Sequence, residues 1–427
     1  MLKTLSISTV LVGLLVSVLP ASAQEVALPS GIFRMANGAY YQPSSGTVTF
    51  NLADLGQNLP STETVTVVSD SLSFPLKTAI ARAKDVFEAE IASAAAASGP
   101  VVATTEAEWR PVTIAIWNPK TDAIRYVRLE KNGAKLKPLG SSLTGITVTY
   151  ANGVNSAFRI TGADGEVVVG VRYPIYLSRK QGTKTVYDVK EVFYSPYSSG
   201  VHTAEMIQEG KLWLTQTVRE VYADLRAKQV KSRAFPDRLV ADVIDPQFVA
   251  SILLIEHVSP TAMKGAAIKQ LESFAVILAA NKDRSYNYSR SSAGALGLAQ
   301  FIPSTYVAVA KWKEYELKPE FDAGMTDPKN AMKAQIAYLD YLLSRLPKET
   351  IASYDTNRPL VQEYVAAGYN GGISIVHKAM VVWEENLDPE ERLIVRTRSR
   401  LKLETMQYVI KLRHVREALK GTDWFAF

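Results

Sequence analysis

The chain of 427 residues contains no cysteine. Without cysteine, no disulfide can form and no lipid can be attached through a cysteine, so a lipoprotein is excluded. The fold must therefore be stabilised by core burial alone, which a chain of this length can achieve in two or more domains. From residue 24 to about residue 200 the sequence also lacks any metal-ligand cluster, phosphate-binding loop or nucleophile signature.

The N-terminus has the pattern of a secretory signal peptide. Met1–Lys3 is a short positive start, residues 5–19 are mainly apolar, and Ala21-Ser22-Ala23 is a small-residue cleavage site. An uncleaved anchor helix is the alternative, but the apolar run is shorter than the roughly 20 residues of a membrane span. We therefore expect residues 1–23 to be a cleaved signal peptide, leaving no stable membrane span.

The chain is mildly basic: it has 48 Lys and Arg against 42 Asp and Glu, which gives a formal net charge of +6. Residues 389–420 contain nine Lys and Arg against four Glu. A solvated amphipathic helix face explains this excess, and attraction to a polyanion is the functional alternative. Nucleic acid is not expected as a partner, because the chain has no recognisable nucleic-acid-binding motif.

Residues 24–200 are rich in short β-branched and aromatic runs separated by turn signals such as Lys131-Asn132-Gly133 and Ala151-Asn152-Gly153. These runs are predicted as strands, and they occupy residues 47–50, 65–68, 112–117, 124–129, 145–150 and 167–173. One helix is predicted from Leu76 to about Ala97. This pattern indicates a β-rich accessory domain with a covering helix, and it discloses no function.

After Thr203 the sequence becomes helical. Residues 211–230 form an amphipathic pattern with Leu214, Val218, Val221 and Leu225 at helical spacings, and we interpret residues 201–240 as a helical connector. Residues 241–420 then form a second, all-helical domain. Two of its helices are predicted to begin at Asp245-Pro246 and Asp327-Pro328, each with an N-cap followed by proline in the first turn. The predicted fold class is therefore α+β.

Glu256 is the catalytic candidate. It lies near the end of a predicted helix in which only Ser251 is polar between Phe248 and Ile255. Apolar surroundings disfavour the charged carboxylate, so the pKa of Glu256 should rise and keep the acid protonated near neutral pH. A buried glutamate paired with an arginine or with a backbone group is the ordinary structural alternative.

Two further motifs follow Glu256. The run Gly294–Thr305 reads Gly-Ala-Leu-Gly-Leu-Ala-Gln-Phe-Ile-Pro-Ser-Thr, and the run 368–372 reads Gly-Tyr-Asn-Gly-Gly. Gly294 and Gly297 allow close approach of backbone to a sugar or to a neighbouring helix. Gln300 offers a donor and an acceptor suited to the polar groups of a glycan. A helix-packing seam is the structural alternative for the glycines.

Glu256, Gly294–Thr305 and Tyr369-Asn370, in this order, resemble the catalytic domain of the soluble-type lytic transglycosylases, which have a lysozyme-like fold and cleave the glycan strands of peptidoglycan. Glu404-Thr405-Met406-Gln407-Tyr408-Val409 is similar to the segment that closes the family's domain. The resemblance covers roughly residues 240–415. It implies that Tyr369 and Asn370 line the cleft, with Tyr369 hydrogen-bonding the acid or the developing charge, and that Tyr408 faces the cleft.

The resemblance also implies a mechanism with a single carboxylate. Glu256 protonates the bond between N-acetylmuramic acid (MurNAc) and N-acetylglucosamine (GlcNAc), the substrate's acetamido group assists, and Glu256 then acts as base on the 6-hydroxyl to close a 1,6-anhydro ring. No metal or cofactor is implied. The implied partner is peptidoglycan, and the signal-peptide pattern of residues 1–23 gives the periplasm as the expected location.

Two departures from the family pattern concern the neighbourhood of the acid. His257 stands where the family usually has serine, so no role of the serine is carried over. An insertion of about residues 261–288 separates Glu256 from Gly294, and its sequence predicts a helix over 268–280 and an aromatic cluster at Tyr286-Asn287-Tyr288. Asn330 sits one place early in an Asp-Pro-x-x-Asn helix start, so that helix is interpreted as scaffold.

Three functions remain open from the sequence. The first is a periplasmic lytic transglycosylase with a β-rich accessory domain. The second is a muramidase-type hydrolase on the same scaffold, which would need a second carboxylate. The third is a non-catalytic wall-binding component of an envelope-spanning assembly.

Overall fold

A computed structural model describes most of the chain after residue 75. The described residues are 33–34, 40–41, 76–139, 145–161, 165–263, 266–383, 401–422 and 424. The chain divides into two compact units, Met1–Pro75 with Pro119–Ala123 and Leu76–Asn118 with Ile124–Phe427. In the first unit, strand β1 (Phe33–Arg34) pairs antiparallel with β2 (Tyr40–Tyr41). The predicted signal peptide and the predicted strands at 47–50 and 65–68 lie outside the described residues.

The second unit begins with helix α1 (Leu76–Ser98) and continues into a six-stranded antiparallel sheet. Its strands are β3 (Val101–Ala103), β4 (Arg110–Trp117), β5 (Ile124–Asn132), β6 (Lys135–Pro138), β9 (Val167–Gln181) and β10 (Lys184–Tyr194). Their order across the sheet is β3-β10-β9-β4-β5-β6. A separate pair is formed by β7 (Ile146–Tyr150) and β8 (Ala157–Ile160). The predicted β-rich region with a covering helix is confirmed.

Strand β4 shows why the centre of the sheet is apolar on both faces. Its alternate side chains Ala115 and Trp117 pack in one cluster with Phe87 of α1. Ile114 and Ile116 point the other way and pack in a second cluster with residues of β7 and β8. Because side chains of a strand alternate between the two faces, β4 is buried on both and reads as a continuous apolar run.

The rest of the unit is helical. The helices are α2 (Ala204–Ala227), α3 (Val240–Val243), α4 (Pro246–Glu256), α5 (Pro260–Met263), α6 (Ala267–Asn281), α7 (Pro303–Val309), α8 (Phe321–Met325), α9 (Pro328–Ser344), α10 (Lys348–Ala352), α11 (Arg358–Gly371), α12 (Ile373–Ala379) and α13 (Leu403–Leu419). The expected caps are present, since Asp245 accepts from the Gln247 amide and Asp327 from the Asn330 amide. The fold class is α+β, as predicted.

Helix α2 is more than a connector. It is longer at its N-terminus than predicted, because Thr203 caps it by accepting a hydrogen bond from the Met206 amide. It packs closely on α6, and Leu214, Val218 and Leu225 belong to the main helical core. Sheet and helices thus share one compact unit, and the domain boundaries predicted near residues 200 and 240 stay predictions. Among the helices of the described residues, none has the length and apolar character that crossing a membrane requires.

At Gly210 helix α2 lies directly against the backbone of α6. A Cβ built there would lie 1.8 Å from the carbonyl oxygen of Ala275. We predict that Gly210→Ala forces the two helices apart and lowers the free energy of unfolding by about 3 kcal/mol, the upper range for overpacking. Urea unfolding measures this, with Gln208→Ala on the exposed face of the same helix as the control. Equal stability of the two variants would contradict the close approach.

Candidate active site

Glu256 lies at the C-terminal end of the apolar helix α4. Pro246 occupies the first turn, and every residue from Phe248 to Ile255 is buried. Glu256 is the last helical residue, and the residue as a whole is partly exposed while its carboxyl group is buried. Burial dominates its electrostatics and raises the pKa of Glu256 from its ordinary value of 4.5 to about 7. Near neutral pH a large share of this carboxyl group is therefore protonated.

Tyr408 is the hydrogen-bond partner of the acid. Its hydroxyl group, on α13, donates to Oε1 of Glu256 at 2.6 Å. This bond stabilises the carboxylate and lowers the pKa of Glu256, as does the positive charge of Lys411, whereas the negative charge of Glu404 raises it. Burial exceeds the two lowering effects. The group is thus balanced between its protonated and ionised forms, as an acid that later acts as a base must be.

Lys411 is a functional neighbour that the sequence reasoning missed. Its side chain is 8% exposed, and its ammonium group donates to the carbonyl oxygens of Ile255 and Val258, the latter at 2.9 Å. These carbonyls lie where α4 ends, so Lys411 caps the helix that carries the acid. The spacing 404, 408 and 411 places all three side chains on one face of a helix, a signal that could have identified Lys411.

The two glycines of the Gly294–Thr305 segment have different roles. Both have positive φ, 81° at Gly294 and 75° at Gly297, which favours glycine. A Cβ on Gly297 would lie 2.1 Å from the carbonyl oxygen of Met325, so this glycine permits contact with the end of α8. At Gly294 a built Cβ would lie 3.8 Å from its nearest atom, Cδ of Pro303, which is an ordinary van der Waals distance. The positive φ of Gly294, rather than a close contact, therefore favours glycine there.

Gln300 mainly shapes its own loop. Its Nε2 donates to the carbonyl oxygens of Ser289 at 3.0 Å and Gly297 at 2.7 Å, and its backbone has the unusual φ of 48°. Both amide hydrogens are thus used, one on Ser289, which precedes the segment, and one within the segment on Gly297. Of the donor and acceptor expected from the sequence, the carbonyl oxygen Oε1 is the atom left to interact with a glycan.

Tyr369 and Asn370 lie at the end of α11. The Tyr369 hydroxyl donates to the carbonyl oxygen of Ala299 at 2.7 Å, and burial raises its pKa well above the ordinary value. Of the two roles expected for Tyr369, a hydrogen bond to the acid or to the developing charge, the first belongs in the structure to Tyr408, and the second stays a prediction. Asn370 accepts a hydrogen bond from the Thr405 hydroxyl at 2.9 Å, which ties α11 to α13. Tyr369 thus joins α11 to the Gly294–Thr305 segment, close enough to Glu256 for their charges to interact.

The basic segment 389–420 is described from residue 401 onwards. Besides Lys411, Arg413 and Arg416 bind Glu363 of α11, at 2.7 and 3.4 Å. These three cations bind other groups within the domain. Neither explanation considered for the basic segment, a solvated helix face or a polyanion-binding site, therefore applies to them. Within the described part of the chain, no group of three or more His, Cys, Asp or Glu side chains could hold a metal ion.

Replacing Tyr408 tests the balance at the acid. We predict that Tyr408→Phe raises the pKa of Glu256, because it removes the hydrogen bond that stabilises the carboxylate. The basic limb of the pH–rate profile, where the acid form is lost, should move to higher pH by roughly one unit. Tyr369→Phe serves as the contrast, since it removes a loop hydrogen bond and should leave the limb in place. A shift with Tyr369→Phe alone would contradict the assignment.

The raised pKa of Glu256 also predicts a stability effect that needs no substrate. The folded state holds a proton at Glu256 that the unfolded chain releases, so stability falls as pH rises from about 4.5 to 7. Glu256→Gln removes this cost and should be more stable than wild type at pH 8 by roughly 1–3 kcal/mol, with little difference near pH 4. Urea unfolding at both values measures it.

The exposed residue Glu349 supplies the control for that comparison. Glu349→Gln changes the same functional group at the surface and should stay within about 0.5 kcal/mol of wild type at both pH values. If Glu256→Gln is no more stable than wild type at pH 8, Glu256 does not bear a burial cost.

Comparison with known families supports the motif reading. A family model described as the transglycosylase SLT domain matches residues 263–383. No curated protein matches the chain. The matched stretch includes Gly294–Thr305 and Tyr369-Asn370, while Glu256 precedes it and Tyr408 follows it, joined by the hydrogen bond between them. In its C-terminal half the chain therefore carries a transglycosylase SLT domain, of the lysozyme-like lytic transglycosylase family.

Proposed function

We propose that the protein is a periplasmic lytic transglycosylase that cleaves the β-1,4 bond between MurNAc and GlcNAc in peptidoglycan. The observation that carries this proposal is the partly exposed Glu256, whose pKa burial raises to about 7. The periplasmic location is supported by the signal-peptide pattern of residues 1–23. Peptidoglycan as substrate is supported by the SLT family match.

In the proposed reaction, Glu256 first acts as a general acid. Its carboxyl group donates a proton to the glycosidic oxygen as the bond from that oxygen to C1 of MurNAc breaks. The carbonyl oxygen of the MurNAc 2-acetamido group bonds to C1 from the opposite face and balances the positive charge. The GlcNAc end leaves as a neutral alcohol, and Glu256 remains as the carboxylate that Tyr408 stabilises.

Glu256 then acts as a general base. The carboxylate accepts the proton of the MurNAc 6-hydroxyl group while O6 bonds to C1 and the acetamido oxygen leaves. The product is 1,6-anhydro-MurNAc, and Glu256 returns to its protonated form without water being consumed. One group with a pKa near 7 can serve in both steps because neither form is strongly favoured at neutral pH.

A muramidase is the second candidate, and Glu404 is the observation that favours it. This exposed carboxylate lies in the first turn of α13, one turn before Tyr408, and its charge raises the pKa of Glu256. A hydrolase with two carboxylates would use the second as nucleophile or as base for water. In the transglycosylase, Glu404 only tunes the acid.

Digestion of purified peptidoglycan, with products identified by mass, separates these functions. We predict anhydro-muropeptides from the wild type and a rate lower by roughly 100- to 10,000-fold with Glu256→Gln, the usual effect of removing a general acid. Glu349→Gln is the matched control and should act as wild type. Glu404→Gln should keep the anhydro product and move the basic limb of the pH profile to lower pH, since it removes a like charge.

Other outcomes would contradict the proposal. Products with a reducing end, lost in both Glu256→Gln and Glu404→Gln, would establish the hydrolase. Absence of any product together with retained binding to peptidoglycan would instead make the protein a non-catalytic wall-binding component.

A further inference from the structure

The insertion between the acid and Gly294 is built into two parts of the molecule at once. On α6, Leu271, Phe274 and Leu278 belong to the main helical core around α4. Val276 and Ala279 belong to the cluster between α1 and the sheet, and Ile277 to the cluster on the other face of the sheet. The continuous burial from Phe274 to Ala279 makes the second half of α6 part of both regions, so a shift of this helix would disturb the packing of each.

Specific polar contacts fix the end of α6 to the end of the sheet. The Asn281 side chain accepts a hydrogen bond from the Ser195 amide at 2.9 Å and donates to the Ser195 carbonyl oxygen at 2.8 Å. Ser195 directly follows strand β10. This paired contact holds the chain just before the aromatic cluster of the insertion, whose Tyr286 amide lies 3.5 Å from the hydroxyl oxygen of the fully buried Tyr194.

Tyr286 is held in a costly backbone conformation and covers His257. Its φ is 62°, a left-handed conformation that costs a non-glycine residue roughly 1–2 kcal/mol. Its ring stacks on the His257 imidazole with centroids 3.7 Å apart and planes 18° apart. The Phe274 ring of α6 lies beside this pair, 5.5 Å from the Tyr286 ring and 6.3 Å from the imidazole. The surrounding contacts must therefore favour this placement of the ring strongly enough to offset the backbone cost.

His257 in turn joins the acid's helix to the glycine-rich segment. Its Nε2 lies 2.8 Å from the carbonyl oxygen of Leu298, which can only accept, so Nε2 carries the proton. Burial, together with the nearby charge of Lys411, lowers the pKa of His257 to about 4. At neutral pH the ring is thus a neutral donor committed to one hydrogen bond. Because Glu256 directly precedes His257 in the chain, this hydrogen bond also restrains the backbone of Glu256.

We propose that His257 and Tyr286 are positioning residues for Glu256, and that the β-rich region contributes to catalysis by holding Tyr286 in place. The sheet fixes Asn281 and Tyr286, Tyr286 packs against His257, and His257 fixes the spacing between the acid and the Leu298 backbone. The accessory region is then part of the support of the active site. This inference rests on the proposed function for its kinetic consequence, but not for its structural one.

Paired variants test the contacts one at a time. Tyr286→Leu removes the aromatic ring from His257, whereas Tyr286→Phe keeps it. His257→Leu removes the donor to Leu298, whereas His257→Gln keeps an N–H that can reach the same carbonyl oxygen. We expect the two leucine variants to lower kcat by roughly 10- to 100-fold with KM changed less than about twofold, because misplacement of the acid affects the chemical step. The conservative variants should retain most of the wild-type kcat.

A second readout needs no activity. The ¹⁵N NMR signals of the His257 ring report its tautomer and its pKa in the protein without substrate. In wild type we expect the proton on Nε2 and a pKa far below 6.5, and in Tyr286→Leu a pKa nearer to that value because the ring gains solvent. If wild type yields no anhydro product but shows this tautomer and this shift, the proposed function fails and the positioning contacts stand.

Asn281→Asp extends the test to the β-rich region without touching the aromatic stack. It removes the donor to Ser195, and we expect a lower kcat and a shifted His257 pKa while the thermal unfolding transition stays cooperative. An unchanged kcat and His257 pKa in Asn281→Asp would overturn the role of the β-rich region. Wild-type kcat in Tyr286→Leu, or equal loss in Tyr286→Phe, would overturn the role of the stacked ring.

Discussion

The cost of burying a carboxyl group at the end of an apolar helix governs the chemistry of this molecule. From Phe248 to Ile255 the only polar residue of α4 is Ser251, whose hydroxyl donates to the Gln247 carbonyl oxygen, so the helix does not stabilise the charged form of Glu256. The hydroxyl of Tyr408 and the charge of Lys411 offset part of that cost. Lys411 also caps the helix through the carbonyls of Ile255 and Val258, so one buried cation stabilises both the backbone around the acid and its ionised form. Burial of this carboxyl group lowers the free energy of unfolding, but it allows the group to donate and to accept a proton near pH 7.

The β-rich region is joined to that site through packing as well as through chain connectivity. Helix α6 contributes side chains to the cores on both faces of the sheet and to the helical core. A compact lysozyme-like fold without the insertion would have no equivalent of the Tyr286 ring against His257. The substitution of histidine for the family's usual serine and the presence of the insertion thus make physical sense together, since each supplies one side of the same stack.

Local patterns predicted much of this architecture. The apolar run and its Asp-Pro start identified α4, and the β-branched runs and turn signals identified β4, β5, β7 and the first half of β9. Strands β3, β6, β8 and β10 were not predicted. Contacts between segments distant in the sequence were harder to predict. Nothing in the local sequence distinguishes Tyr408 from Tyr369 as the hydrogen-bond partner of Glu256, because that depends on how α11 and α13 pack. Lys411 was readable from its spacing to Tyr408. The packing of the sheet on α6 could not be predicted from the sequence, because a buried helix shared by several cores has the same apolar sequence as one buried in a single core.

Burial keeps Glu256 substantially protonated at neutral pH before substrate binds. The ¹³C chemical shift of its side-chain carboxyl carbon, followed across pH in the resting protein and assigned with Glu256→Gln, measures this directly. A titration midpoint near pH 7 is the predicted result. A midpoint near the ordinary value of 4.5 would show that the group is an ordinary solvated carboxylate, and the account of the acid would be contradicted.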